Sequence, residues 1–200
     1  MSWTVPRDAW KGERCFILGG GPSLKEVDIA SLRGRGRVIA INCAYLLAPW
    51  ADMVYFADRD FYKWNRDRLD AYEGDLIVSR HTHPGARHDI KVMKSTKLVP
   101  LSRDPAKVGG HDSGSNALNI AFLLGCDPIV LLGFDMRPGN WHDLHEKAQK
   151  NDFATKFMPY FHRMAPELER DGVTVLNATP GSALTCFPMV SLDDVLREAA

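Results

Sequence analysis

The stretch Cys15-Phe16-Ile17-Leu18-Gly19-Gly20-Gly21-Pro22-Ser23-Leu24 decides how this chain folds. Its first four residues form an apolar run with the length and flanks of a buried strand. The three glycines allow a sharp turn and let another molecule approach the peptide backbone closely. Pro22 suits the first turn of a helix, where its missing N–H leaves no bond unmade. Strand, glycine turn and helix start together aim backbone N–H groups at one point, a seat for a phosphate. The spacing is neither G-x-G-x-x-G nor a P-loop, since no Gly-Lys-Ser/Thr follows. A tight turn with no ligand is the other reading of the same residues.

Further strands follow on both sides of polar or helical segments. Val38–Ile41 ends at Asn42, Met53–Ala57 at Asp58, and Leu76–Val78 at Ser79-Arg80-His81. Ile129–Leu132 is the plainest buried strand and ends at Gly133-Phe134-Asp135. Leu98–Leu101 and Val173–Leu176 read as shorter ones. Helical spacing is expected over Leu24–Leu32, Phe61–Tyr72, Asn116–Leu124 and, broken near Pro159 and Pro166, Phe153–Asp171. Ser191 is placed to cap a last helix over 192–198. Between Arg80 and Lys97 the periodicity disappears, and five basic residues stand there against the single acid Asp89. Strands alternating with helices predict an α/β fold around a mostly parallel sheet.

The composition narrows the class. At 200 residues the chain suits one domain, 1–200, able to bury a substantial core. Lys+Arg and Asp+Glu balance at 25 each, so no global field draws the protein to nucleic acid or a membrane surface. The four cysteines are far apart without a C-x-x-C, which fits reduced thiols and a cytoplasmic setting. No apolar run has spanning length, and the first dozen residues lack the apolar core of a signal peptide.

In open parallel sheets ligands sit beyond the carboxyl ends of the strands. That rule collects Gly19 to Ser23, Asn42, Asp58 with Asp60, Arg80 with His81, Asp135, and Asn177 with Thr179. A second glycine-rich loop, Val108 to Ser115, precedes a helix and offers another anion seat at Ser113, Gly114 and Ser115. Two such seats facing one crevice suit a phosphate-bearing donor. Asn42 and Asp58 also suit turns on their own account. His142 and His145 stand three apart, so on a helix they share a face and could work as an acid/base pair. Two exposed loop histidines are the alternative. The spacing is not that of a zinc site, and no metal is expected there.

Taken together, Gly-Gly-Gly-Pro-Ser-Leu at 19–24, Ala40-Ile41-Asn42, Ser113-Gly114 and the run Leu124-Gly125-Cys126-Asp127-Pro128 into Leu132-Gly133-Phe134-Asp135 form a pattern. It resembles the superfamily that joins bacterial sialyltransferases of the Campylobacter lipooligosaccharide type with archaeal 6-hydroxymethylpterin diphosphokinase-like proteins, a group with phage-encoded members. The resemblance implies a Rossmann-like three-layer fold and, on the sialyltransferase side, a metal-independent glycosyltransferase. The resemblance places a nucleotide-sugar donor against Gly20, Gly21, Ser23, Asn42, Ser113 and Gly114, and the strand-end and loop readings add Gly19, Pro22, Ser115 and Arg80. A histidine after the Gly-x-Asp strand would be the base, His145 first and His142 second, with Asp58 or Asp135 orienting it or binding the acceptor. The acceptor hydroxyl would belong to a small molecule, a glycan or a hydroxylated DNA base of a phage-type modification pathway. The diphosphokinase side implies ATP and magnesium held by Asp58, Asp60 and Asp135, with a pterin-like alcohol as substrate. A nucleotide-binding module without turnover is the remaining expectation.

Overall fold

Cys15–Leu18 (β1) and Ile129–Leu132 (β8) lie side by side at the middle of the fold, in register from Cys15 opposite Ile129 to Leu18 opposite Leu132. The computed structural model describes residues 2–96, 99–144 and 152–197. The chain steps away from β1 through Arg37–Ile41 (β2), Met53–Phe56 (β3), Leu76–Ser79 (β4) and Ile90–Val92 (β5). It then returns past a small pair, Lys94–Ser95 (β6) and Lys107–Val108 (β7), and resumes on the other side of β1 with β8 and Val175–Asn177 (β9). The order β5-β4-β3-β2-β1-β8-β9 with every pairing parallel is the open α/β sheet that the alternation predicted.

Strand side chains alternate between two cores, so the sheet is the middle of three layers. Cys15, Ile17, Ile39, Tyr55 and Leu131 face the helices Ser113–Leu123 (α2) and Met158–Arg170 (α3). Phe16, Leu18, Val38, Val54 and Leu132 face the opposite layer, built from Leu24, Ile29, Leu32, Tyr45 and Phe61 and closed by Val195 of Leu192–Arg197 (α4). Strands β1, β3 and β8 are apolar throughout because both their faces are covered.

The second layer departs from the sequence reading. Leu24–Leu32 is not one helix but two 3-10 turns, Pro22–Glu26 and Ile29–Leu32, and Phe61–Tyr72 is a short helix, Phe61–Asn65 (α1), followed by a 3-10 turn, Arg68–Ala71. Local spacing cannot distinguish a 3-10 turn from the start of an α-helix, since both place apolar residues three apart. Leu98 lies outside the described residues and Val99–Leu101 form no strand; β5, β6 and β7 are the strands of that region instead. Their side chains are mixed in polarity because β5 is an edge strand. Phe153–Asp171 also differs, being a π-helical turn, Phe153–Phe157, that runs into α3 across Pro159 and Pro166.

Two buried amides tie the return segment to α2. Asn119 accepts from the backbone N–H groups of Ser102 (2.8 Å) and Gly109 (2.6 Å) and donates to the Ser102 carbonyl (2.9 Å). Asn116 takes the Tyr55 hydroxyl at 3.0 Å and donates to the Gly109 carbonyl at 2.5 Å. These bonds hold the loop ahead of α2 against the carboxyl end of the sheet.

Candidate functional site

The chain reverses its direction of travel between β1 and β8, and the crevice beyond those strand ends is where ligands bind in open α/β sheets. A cleft of about 710 Å³ opens there. Both glycine loops line it, through Gly19, Gly20 and Gly21 on one side and Asp112, Ser113 and Gly114 on the other. Between them stand Asn42, Asp58, Arg59, Asp60, Arg80 and His81 from the ends of β2, β3 and β4. Phe134, Phe153, Phe157 and Trp64 form the apolar part of the wall.

The first glycine turn is packed backbone against backbone on the turn after β8. Gly19 N–H donates to the Leu132 carbonyl at 2.7 Å and Gly21 N–H to the Gly133 carbonyl at 2.9 Å. Ser23 donates through its N–H (3.2 Å) and its hydroxyl (2.7 Å) to the two oxygens of Asp135. Only Gly20 of the three glycines keeps an N–H without a partner among the described residues. The bundle of free amides expected at 19–23 is therefore reduced to Gly20, because strand ends this close satisfy one another. Ser23, expected at the donor, and Asp135, expected in catalysis, hold each other; Asp135 lines the cleft, whereas neither Pro22 nor Ser23 does.

The second loop is also closed by its own side chains. Asp112 caps α2, accepting from Gly114 N–H (2.8 Å) and Ser115 N–H (3.2 Å) and from the Ser115 hydroxyl (2.7 Å). Ser115 is fully buried in that cap and does not reach the cleft. Ser113 does, with its hydroxyl accepting from Ala57 N–H at 3.1 Å. The anion seat expected at the head of α2 is thus held by the protein's own carboxylate. Burial raises the pKa of Asp112 above the usual carboxylate value, against the lowering effect of its hydrogen bonds. The folded protein therefore holds that proton more tightly than the unfolded chain, and the group favours folding more as pH falls through its folded pKa. Asp112→Asn keeps the oxygen acceptor without the buried charge and is expected to melt at or above wild type at pH 7, with that advantage shrinking toward pH 4. Asp112→Ala is expected to lose about 1–2 kcal/mol of stability at either pH. Thermal melts of the three proteins at both pH values check this.

Asn42 is held in the left-handed region (φ 52°), a conformation asparagine tolerates better than most residues. This turns the chain out of β2 into a 3-10 turn, Asn42–Leu46, and brings Asn42 into the cleft wall. Its amide oxygen is buried with no hydrogen-bond partner among the described residues. Arg80, expected to hold donor phosphate, bridges two strand-end segments, with Nε on the Ala57 carbonyl (2.8 Å) and Nη1 on the His111 carbonyl (2.9 Å).

No protein-family model and no curated protein matches the sequence. Solved structures do match its shape. A MAf glycosyltransferase from Magnetospirillum magneticum AMB-1 superposes with a TM-score of 0.68 at 15% identity, over 94% of this chain and 35% of that one. The chain thus spans about a third of that protein's length. The sialyltransferase CstII from Campylobacter jejuni, in complex with the substrate analogue cytidine-5'-monophosphate, superposes at 0.58 with 17% identity, over 90% and 86% of the two chains. A second CST-II structure, with a trisaccharide acceptor and CMP, gives 0.57 at 18%, over 89% and 86%. The chain has a glycosyltransferase-like fold.

On that fold His142, one of the two histidines expected to act as base, is not on a helix. Trp141–Asp143 is a bend rather than the helix that the reading of the pair required. His142 accepts the Leu144 N–H at Nδ1 (3.0 Å) and is absent from the cleft wall; His145 lies outside the described residues. Among the described residues the imidazoles that line the cleft are His81 and His111. His81 carries a signal readable in the sequence, its place just past a strand, whereas His111 reaches the cleft only because α2 starts there. Asp58, Asp60 and Asp135, the magnesium set of the diphosphokinase expectation, all line the cleft, but no three His, Cys, Asp or Glu side chains among the described residues form a metal-binding group. No helix among the described residues is long and apolar enough to cross a membrane.

Proposed function

We propose that this chain transfers a sugar from a nucleotide-activated donor to an acceptor hydroxyl. The observation that carries the reading is the cleft at the β1/β8 crevice, into which both glycine loops open, on a fold shared with two kinds of glycosyltransferase. The nucleotide lies across the strand ends, with Gly20 N–H and the buried Asn42 amide as polar contacts on one side and Ser113 and Gly114 on the other. CstII was solved with CMP, which favours a cytidine nucleotide among the possible donors. Asp58, exposed at the end of β3, binds the acceptor or orients the base. The acceptor is a small molecule, a glycan or a hydroxylated DNA base, and the exposed carboxylates of the β3 end favour an uncharged one over polyanionic DNA. Asp58, Asp60 and Arg59 give this end no net positive charge. The transfer runs without a metal ion.

Thermal-shift measurements against CMP, UDP, GDP and ATP, each with magnesium and with EDTA, test the reading. A nucleotide at a hundred times its Kd adds about 2.7 kcal/mol to the native state, which raises Tm by about 5–10 °C in a domain of this size. A shift with CMP, UDP or GDP that survives EDTA is the expected result. A shift with ATP that needs magnesium overturns it in favour of diphosphate transfer, and no shift with any nucleotide removes the donor.

A further inference from the structure

The geometry points to His81 as the general base of this cleft, a deduction that rests on the glycosyltransferase reading. Each other described histidine is engaged, sealed or remote. His83 points its Nε2 at the buried Ser79 hydroxyl (3.0 Å), and His88 bridges the Tyr62 hydroxyl (3.1 Å) and Asp70 (3.1 Å). His142 accepts from Leu144, and His162 is exposed on α3, away from the cleft wall. His111 lines the cleft, but its Nδ1 is buried without a partner and its ring lies against Phe157 and Tyr160, with centroids 6.1 and 5.6 Å away. His81 stands at the carboxyl end of β4 in the cleft wall, half-buried, with Asp58, Arg59 and Asp60 beside it at the end of the neighbouring strand β3. Its backbone is fixed by the bond from its N–H to the Ser79 hydroxyl at 3.2 Å, which limits the positions the ring can take.

The charges around the ring suit this task. Burial, Arg80 and Arg59 lower the His81 pKa, in that order, while Asp58 and a hydrogen bond from the ring to the Ala57 backbone carbonyl oppose them. That bond holds one ring nitrogen as donor and leaves the other as acceptor, and His83 is the other titratable group nearby. The imidazole is therefore neutral near pH 7 and has a lone pair to offer. In the transfer, the acceptor oxygen forms its bond to the anomeric carbon as its proton passes to His81. The bond from that carbon to the donor phosphate oxygen breaks, and its electron pair leaves with the phosphate. The imidazolium then gives the proton to water.

Nucleotide release from CMP-, UDP- and GDP-activated sugars, with water or an added glycan as acceptor, is followed against pH for wild type, His81→Gln and Arg59→Gln. Wild type is expected to show an acid limb centred below the ordinary histidine value. His81→Gln is expected to lose that limb and about 100-fold in kcat, with donor KM within about 3-fold. Arg59→Gln removes one of the cations beside the ring and is expected to move the limb to higher pH. The Arg59→Gln shift decides the matter if His81→Gln melts well below wild type. A His81→Gln protein that keeps its kcat and its acid limb overturns the assignment and leaves the glycosyltransferase reading standing. A wild type that releases nucleotide from none of these donors overturns both.

Discussion

Gly21→Ala is expected to collapse the first glycine turn and abolish nucleotide binding. The backbone of Gly21 is ordinary (φ −70°, ψ 156°), so the requirement for glycine is one of space rather than torsion. A Cβ there would lie 1.8 Å from Asp135 Oδ2, 2.5 Å from Asp135 Cγ and 2.7 Å from the Gly133 carbonyl oxygen. The carboxylate must leave, taking with it both bonds to Ser23, and the β8 turn must separate from the β1 turn. An overpacked site that also breaks buried hydrogen bonds costs about 3 kcal/mol or more, which is about 10 °C in Tm. Gly20→Ala is the control, since its Cβ would meet only Asn140 Oδ1 at 3.5 Å, an ordinary contact. It should melt within about 2 °C of wild type. The double variant Gly21→Ala/Asp135→Ala should lose less than the sum of the two single losses, because removing the carboxylate also removes most of the clash. A Gly21→Ala protein as stable as Gly20→Ala would show that the two turns are not packed as described.

That close contact explains why the sequence announces a turn at the glycine run but not which of its amides stay free. Apolar strands ending in glycine, Asn or Asp announced the parallel sheet and its carboxyl edge, and the cleft does sit there. The sequence could not show that β8 returns to lie beside β1. Only that neighbour makes the Gly133 carbonyl and the Asp135 carboxylate partners for Gly21 and Ser23, 112 residues apart in the Ser23–Asp135 pair. The same holds at α2. Asp112, Ser113 and Ser115 have the composition of an anion-binding loop, yet Asp-x-x-Ser is equally a capping box, and the cap is what forms. Edge strands β5 to β7 were missed for a different reason. Residues such as Lys91, Lys94 and Lys107 lie in strands with exposed sides, so the apolar signal that marks a buried strand is absent.

Arg80 separates ligand binding from positioning most sharply. A phosphate ligand can be replaced by lysine with its charge kept, and its loss leaves the free protein as stable as before. Arg80 instead reaches two carbonyls with two different nitrogens of one rigid guanidinium, Ala57 at the end of β3 and His111 ahead of α2. The bond from Ala57 N–H to the Ser113 hydroxyl runs beside them, so the two segments are joined twice, once through Arg80 and once directly. Arg80→Ala leaves both carbonyls without their charged donor, and hydrogen bonds to charged groups contribute about 1.5–3 kcal/mol each. The expected loss is about 3 kcal/mol by urea denaturation without nucleotide, together with a donor affinity at least about tenfold weaker as the Ser113 loop loosens. Arg80→Lys should recover less than half of the stability, because one ammonium on a flexible stem cannot take the place of a planar fork. Raising the salt from 0.1 to 0.5 M should change little of this difference, since the half-buried guanidinium bonds to neutral carbonyls and not to an exposed opposite charge. If Arg80→Ala melts like wild type and Arg80→Lys binds nucleotide normally, the residue is a phosphate ligand after all. The two halves of the cleft would then be held together by the Ala57–Ser113 bond and packing alone.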